Sequence, residues 1–559
     1  MNNIKITKRW WREEINHHEI KLKGPINLWW KILLLFFIVA FSLFSIYYIG
    51  FGFSNNGLAI FKNNLKSFFN VSSFSRLFNE NLFILAIRFL WESIKIIFLG
   101  TALGIICAFI SAYFSNYKMN SKYIVIPVKI AIIFLRLIPE IFFIYLFKIG
   151  FDKSLAIMLI FIWFTWIWLH EYFSQAIENS NFNMFYHLTR NKSSKFKAFW
   201  IEIMPQVKIK FLNYMFLAFE SNLRWSSILF EFSFLGIGYL IYPNTRNINY
   251  SELMIPLIVL ILFLFLLEII NFSLKRFFFI SKTQKVDLKK YATQQNIKKI
   301  IIGFLVVAVI VIIGFGIASL TNEKAYFGSG INYINNFFHP NWENVIWGFS
   351  GGVAQMILQL VCLTFLSLLL IYLIAYLKMF FMTKQLFGNK TSITFRFTNS
   401  AVRAIPTISW FLIISSLFIN SYAPFVIAFA IHGAASMTRN LESSIRKIDQ
   451  SKIENLRIRG YSKIKIFNNF IMPSIKLDFI TFFSFELEKT IRNFITYGLY
   501  GASLLGEATQ LSRVKEINDI APYLWIGFII IAMINLVTYL IRIKFKGNYH
   551  HIFLKKLFV

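Results

Sequence analysis

The sequence predicts an all-α polytopic membrane protein of about twelve transmembrane helices, arranged as two parallel six-helix repeats. Three observations lead there. Of the 559 residues, 57% are hydrophobic, and the mean hydropathy of +0.59 is more than a water-bounded core requires. The apolar residues form long runs that start near Trp29, Leu82, Tyr123, Leu155, Lys210 and Met254, and again near Ile300, Val345, Phe395, Ala423, Leu477 and Tyr523. Finally, Ile203-Met204-Pro205, Glu220, Arg224 and Gly238 recur without a gap, 268 residues later, as Ile471-Met472-Pro473, Glu488, Arg492 and Gly506. Such an ungapped repeat indicates duplication.

Taken in order, residues 1–28 form a polar, basic tail, and the run that follows has no small-residue cleavage site, so it is expected to stay as a span. Residues 29–280 make the first repeat, 281–298 a basic linker, 299–545 the second repeat and 546–559 a basic C-terminal tail. Six spans before the linker return the chain to its starting side, so the repeats are parallel rather than inverted. Shorter matches extend the likeness: Arg136-Leu137-Ile138-Pro139 with Arg403-Ala404-Ile405-Pro406, and Ala112-Tyr113 with Ala375-Tyr376.

The net charge of +32 would suggest nucleic acid in a soluble protein. Here the basic residues alternate by side instead. The two tails, the loop with Lys118 and Lys122, the segments 190–197 and 447–465, the linker and the loop with Lys384, Lys390 and Arg396 share one face under a twelve-span scheme. The positive-inside rule makes that face cytoplasmic, with both termini inside a cell-membrane protein. The basic loops are short and lack a stacking platform or zinc spacing, so nucleic-acid binding lacks support. Cys107 and Cys362 each lie in an apolar run and read as packing residues. His170, Glu171 and His432 read as packing or capping groups, and no metal site is expected.

Within each repeat a Glu and an Arg stand four residues apart, Glu220 with Arg224 and Glu488 with Arg492, so each pair shares a helix face. One charge at membrane depth costs about 2.5–3.5 kcal/mol, so these groups need partners or water. They serve either as structural ion pairs or as gating groups beside a path. Pro139 and Pro406 each free a backbone carbonyl within a span, as a simple bend or as a mobile break.

The segment Lys452-Ile453-Glu454-Asn455-Leu456-Arg457-Ile458-Arg459-Gly460, leading to Ile471-Met472-Pro473, resembles the cytoplasmic loop of ABC-importer permeases. Glu454, Gly460 and Pro473 keep the family spacing, while Asn455 and Leu456 replace its two alanines. Read from the residues alone, it is a basic amphipathic loop at the membrane surface. Gly460 is expected to turn between two short helices, and Pro473 to open the next helix. The first repeat keeps Pro205 but has Tyr186 and Lys192 at the Glu and Gly positions, with Asn191 as the expected left-handed hinge.

The Glu-x-Asn-x-Arg element at Glu220, Asn222 and Arg224, with the Arg-x-Ile-Pro pair, resembles the phosphonate-type branch of those permeases. The glycine-rich stretches beyond it match in part: Gly236 and Gly238 in the first repeat, Gly498, Gly501 and Gly506 in the second. The first repeat has Phe230, Ser233 and Leu235 at three glycine positions of the family, and the second has Thr490 for the Asn. The resemblance implies two fused type I importer permease halves around one path, with fifth spans facing each other. Glu454, Gly460, Met472 and Pro473, with Asn191, Lys192 and Pro205, would form ATPase-coupling loops. Pro139, Pro406, Glu220, Arg224, Glu488, Arg492 and the glycines would shape or gate the path.

No phosphate loop is present; Gly388-Asn389-Lys390-Thr391-Ser392 has Asn between Gly and Lys. No cofactor is expected in the chain, and ATP and Mg would bind two separate ATPase subunits or a fused pair. An extracellular substrate-binding lipoprotein would deliver a phosphonate or similar organophosphate, or thiamine and its phosphates. The alternative is an ion-coupled secondary transporter that uses the intramembrane Glu and Arg as a relay. Nothing in the spans has the spacing of an enzyme's catalytic groups.

Overall fold

The computed structural model describes residues 28–225, 236–241, 250–279, 288–446, 448–510 and 517–546. Residues 1–27 and 547–559 of the expected tails, residues 280–287 of the linker region and the positions of Phe230, Ser233 and Leu235 lie outside the described residues.

The first half comprises α1 (Leu28–Ile49), α2 (Gly57–Phe69), a two-residue hairpin (Phe74–Ser75 with Glu80–Asn81), α3 (Leu82–Phe114), α4 (Lys122–Leu137), α5 (Glu140–Gly150), α6 (Lys153–Glu178), α7 (Asn183–Arg190), α8 (Lys195–Ala198), α9 (Met204–Trp225), α10 (Ile237–Ile241) and α11 (Tyr250–Phe279). The second comprises α12 (Leu288–Ala318), α13 (Phe327–Phe338), α14 (Val353–Met382), α15 (Lys384–Ala404), α16 (Thr407–Ser415), α17 (Tyr422–Ile445), α18 (Gln450–Ile458), α19 (Lys463–Ile466), α20 (Met472–Ser474), α21 (Lys476–Thr496), α22 (Leu504–Ala508) and α23 (Ala521–Lys546). Three helix starts differ clearly from expectation, one of them that of α15, which begins at Lys384 rather than near Phe395. Helix α12 reaches back into the expected linker because Lys, Ala and Gln from 289 to 299 favour helix and no Gly or Pro interrupts them. Helix α14 starts at Val353 rather than Val345, because the preceding segment contains Gly348, Gly351 and Gly352, with Gly351 at φ +75°.

Among the described residues, seven helices are long and apolar enough to cross a membrane, or nine if each bent pair counts as one span. Three of the twelve expected spans fall outside that set. They are α9, α17 and α21, whose hydropathy is lowered by the charged groups they carry.

The two bent pairs are α4–α5, turning by 88° at Pro139, and α15–α16, turning by 85° at Pro406. Pro lacks the N–H that would continue the ladder, and the residue before it is pushed to extended backbone. Ile138 (φ −63°, ψ 132°) and Ile405 (φ −75°, ψ 124°) adopt that conformation. The prolines therefore break the helices outright. Within α15, Gly388 at φ +81° adds a second interruption, so the segment that looked like part of a phosphate loop is a helix kink.

Packing interlocks the halves. Helix α1 lies on α14 of the second half, with Phe41 edge-on to Phe365 (centroids 4.7 Å apart). Helix α12 lies on α3 of the first, where Gly316 leaves space for Lys95 and Leu99. Past the Pro139 break, Phe142 enters a core built largely from the second half and meets Phe337 at 4.4 Å. Inside the first half, α3 and α6 approach through Gly100 and Gly104, where an added Cβ would lie 2.7 Å from the Met158 carbonyl and 2.6 Å from Thr165 Cβ.

Gly498 and Gly506 make a comparable contact. A Cβ on Gly498 would fall 2.1 Å from the Gly506 carbonyl carbon, backbone that cannot swing aside. Gly498→Ala is therefore expected to lower the thermal midpoint of the purified, detergent-solubilised chain by several degrees, following the cost of overpacking. A midpoint within one degree of the parent would contradict this contact.

Candidate translocation and coupling sites

The residues singled out within the spans form two clusters, each drawing on both halves. In one, Glu488 of α21 accepts from Arg492 one turn on (3.3 Å) and from Arg136 of α4 (3.1 and 3.3 Å to its two oxygens). In the other, Glu220 of α9 accepts from Arg224 (3.2 Å) and from Arg403 of α15 (2.6 Å). Each carboxylate therefore pairs within its own helix and with the pre-proline arginine of the opposite half. Glu220, Glu488 and Arg403 are all buried.

The proline breaks explain the crossing. A helix that stops leaves its last carbonyls without N–H partners and with partial negative charge. Arg492 donates to the Arg136 carbonyl at 2.6 Å, and Arg224 donates to the Arg403 carbonyl at 3.3 Å. Each fifth-span arginine thus bridges its own glutamate and the broken end of the other half's helix. The breaks at Pro139 and Pro406 make those carbonyls available.

Around this shared core the clusters differ. Glu171 of α6 lies 3.6 Å from Arg136. The position 268 residues on is Arg439 of α17, which lies 3.7 Å from Glu220 and 3.5 Å from Glu268 of α11. A carboxylate in one half is replaced by a guanidinium in the other. Asn222 ties α9 to α3 and α6 by donating to Thr101 and Thr165, both at 2.8 Å, so in this chain it joins three helices of its own half. Of the glycines, Gly501 (φ +78°) ends the turn Tyr497–Tyr500 in left-handed backbone, and Ser421 donates to its carbonyl at 2.6 Å. Gly498 and Gly506 serve close packing, and Gly236, just before α10, and Gly238, within it, are buried.

The two loops share a plan. Gly460 follows α18 at φ +79°, and Ser462 then caps α19 by accepting from the Lys465 N–H at 3.4 Å. In the first half Lys192 follows α7 at φ +62°, and Ser194 caps α8 through the Lys197 N–H at 3.3 Å. This corrects the expected hinge: Asn191 stays at φ −82° and Lys192 takes the left-handed position. Register decides it, since the turning residue stands two before the capping serine in both loops. For Lys that conformation costs about 1–2 kcal/mol relative to ordinary backbone. At the other end, Asp449 caps α18. Its carboxylate accepts from the Ser451 hydroxyl at 2.8 Å and the Ser451 N–H at 3.0 Å, which holds its carboxyl below the usual range.

Pro473 and Pro205 gain a context that the sequence did not show. Each stands in the first turn of an α-helical segment, as expected, but that segment has no free N-terminus: it continues a π-helical turn, Phe467–Ile471 or Phe199–Ile203. The wider turn makes room where the proline ring would meet the carbonyl four residues back. Met472 and Met204 are half-buried at this junction. On α18, Ile453 and Leu456 are buried while Glu454 is exposed, and Ile458, Ile464 and Phe196 present 83%, 61% and 56% of their surface. Exposed apolar side chains on basic loops suit a protein partner.

Sequence reasoning found Glu220, Arg224, Glu488 and Arg492 but gave Arg136 and Arg403 no charge role, and it did not bring in Arg439 or Glu268. The repeated Arg-x-Ile-Pro was the available signal. The crossing changes what mutations should do. Removing one partner of a buried pair costs about 3–5 kcal/mol. Glu488→Ala with Arg492→Ala still leaves Arg136 facing the site, so the double variant is expected to stay destabilised and the triple with Arg136→Ala to recover part of the loss. Thermal unfolding of the three purified proteins checks this; a triple variant no more stable than the double would contradict the crossed pairing.

Residues 380–543 match the family described as binding-protein-dependent transport system inner membrane component. The chain is 28% identical over 545 residues to the "ABC transport system permease protein p69" of Mycoplasma genitalium, covering 94% of this chain and 97% of that protein. It is 27% identical over 482 residues to the protein of the same name from Mycoplasma pneumoniae, covering 84% and 87%. No solved structure matches. With the helical fold, these likenesses support a multi-pass permease subunit of an ABC transporter, a transmembrane component and not an enzyme.

Proposed function

We propose that the chain is the whole translocation pathway of an ATP-driven importer, with two fused permease halves and both termini cytoplasmic. The observation that carries this reading is the repeated series in each half: left-handed hinge, capped short helix, π turn and long helix ending at a crossed ion pair. A push on either loop would pass along α9, which continues its π turn directly, or through α20 and the turn at Ile475 into α21, to a carboxylate paired with the opposite half. Two ATPase subunits, or a fused pair, would dock on the loops and supply ATP and Mg. Their approach would move α9 and α21 relative to the broken helices and exchange the latches.

An external binding lipoprotein would deliver the solute. The resemblance to the phosphonate-type branch favours a phosphonate or similar organophosphate, or thiamine and its phosphates. No chemistry on the solute is required of this chain.

Two outcomes are expected. In proteoliposomes holding the chain with its ATPase and binding protein, uptake should require ATP and be indifferent to proton or sodium gradients; gradient-driven uptake by the chain alone would overturn the reading. Gly460→Val places a β-branched residue at φ +79° and is expected to reduce transport at least tenfold while leaving membrane insertion intact. Unchanged substrate-stimulated ATP hydrolysis in that variant would contradict a coupling role for this loop.

A further inference from the structure

A cavity of about 350 Å³ lies where the ends of α14 and α17 meet α15 and the start of α18. Its floor is apolar, from Met379, Met382 and Ile445, and its walls carry Lys384, Arg396 and Arg446 around a single carboxylate, Glu442. Arg396 approaches Glu442 to 2.7 Å, and Arg446 donates to it through Nε at 3.0 Å and Nη2 at 2.5 Å. One carboxylate among three cations leaves two positive charges on the lining. The volume lies at the lower end of the range for small-molecule sites.

The first half has no such lining at the equivalent place. At the offsets that align the repeats, Arg396 corresponds to Lys129, Arg446 to Glu178 and Gln450 to Phe182. There Lys129 pairs with Glu178 at 3.4 Å. Phe182 is buried, with the Lys118 ammonium 4.7 Å above its ring. An aromatic ring covered by Lys118 and a Lys–Glu pair stand where the second half has a cavity lined by three cations and one carboxylate.

We propose that this cavity binds a phosphate monoester dianion, carried by a small soluble ester or by a lipid headgroup. Arg396, Arg446 and Lys384 supply the counter-charge, and the methionine floor receives the apolar part of the ligand. Guanidinium groups match phosphate oxygens in charge and in fork geometry. Arg446 ends α17 and Gln450 opens α18, so the occupied cavity would clamp the joint that leads into the loop around Gly460. That consequence rests on the coupling role proposed above, whereas the binding does not.

The test uses the full chain in nanodiscs of zwitterionic lipid, titrated with inorganic phosphate and with glycerol 3-phosphate, and in a second arm native mass spectrometry of the chain reconstituted with phosphatidic acid. Saturable binding of a soluble phosphate identifies a free ester as the source, and selective retention of phosphatidic acid identifies a headgroup. In either case Arg446→Gln is expected to weaken binding at least tenfold. Gln450→Phe, which copies the first half without removing a charge, is expected to abolish it while the thermal midpoint stays near the parent. Absence of binding in both arms would overturn the proposal. So would equal affinity in Gln450→Phe and the parent, or equal affinity in Arg446→Gln and the parent.

Discussion

The whole arrangement depends on how buried carboxylates are neutralised. Glu220 and Glu488 each lie within hydrogen-bonding distance of an arginine on their own helix and of one from the other half. In a medium of low dielectric an unpaired carboxylate is expensive, and leaving one behind costs more than the pair contributes. Each carboxylate has one arginine on its own helix, and it is the second arginine, drawn from the other half, that ties the two halves in register.

The same constraint links the proline breaks to the fifth spans. By ending α4 and α15 early, Pro139 and Pro406 expose the carbonyls that Arg492 and Arg224 reach, and the chain turns by 88° and 85° into α5 and α16. The exchange of first spans, α1 onto the second half and α12 onto the first, braces the outer side of the bundle. With the periphery interlocked, the proposed coupling would concentrate movement on α9 and α21. The unequal surroundings, Glu171 beside one latch and Arg439 with Glu268 beside the other, give the two latches different charge balance. Equal mechanical input from the two loops would then have unequal effects.

What the sequence made legible followed from local spacing. Apolar runs marked the long helices, four-residue spacing marked Glu220 with Arg224 and Glu488 with Arg492, and a constant offset marked the repeated loops. What escaped was tertiary. Arg403 and Glu220 stand 183 residues apart, and Arg136 and Glu488 stand 352 apart. A repeat shows which residues are equivalent without showing that equivalents cross. The hinge at Lys192 escaped because residue preference pointed to Asn191, whereas the capping serine two residues on fixed the register. The π turns before Pro205 and Pro473 escaped because a proline in sequence reads as a helix start, and only the packed chain shows the preceding turn widened to accept it. The charged helices α9, α17 and α21 fell below the apolarity of a span for the same reason that they carry the latches.

The central claim, that opposite charges on opposite halves hold the bundle closed, is tested most directly by exchanging them. Arg136→Glu alone and Glu488→Arg alone each place like charges together and should each reduce ATP-dependent uptake at least tenfold in reconstituted vesicles. The combined exchange restores attraction with the geometry reversed, and the account predicts recovery of a substantial part of the parent activity at equal expression. Uptake by the combined variant no higher than by the weaker single variant would show that these charges act separately, and would contradict the account.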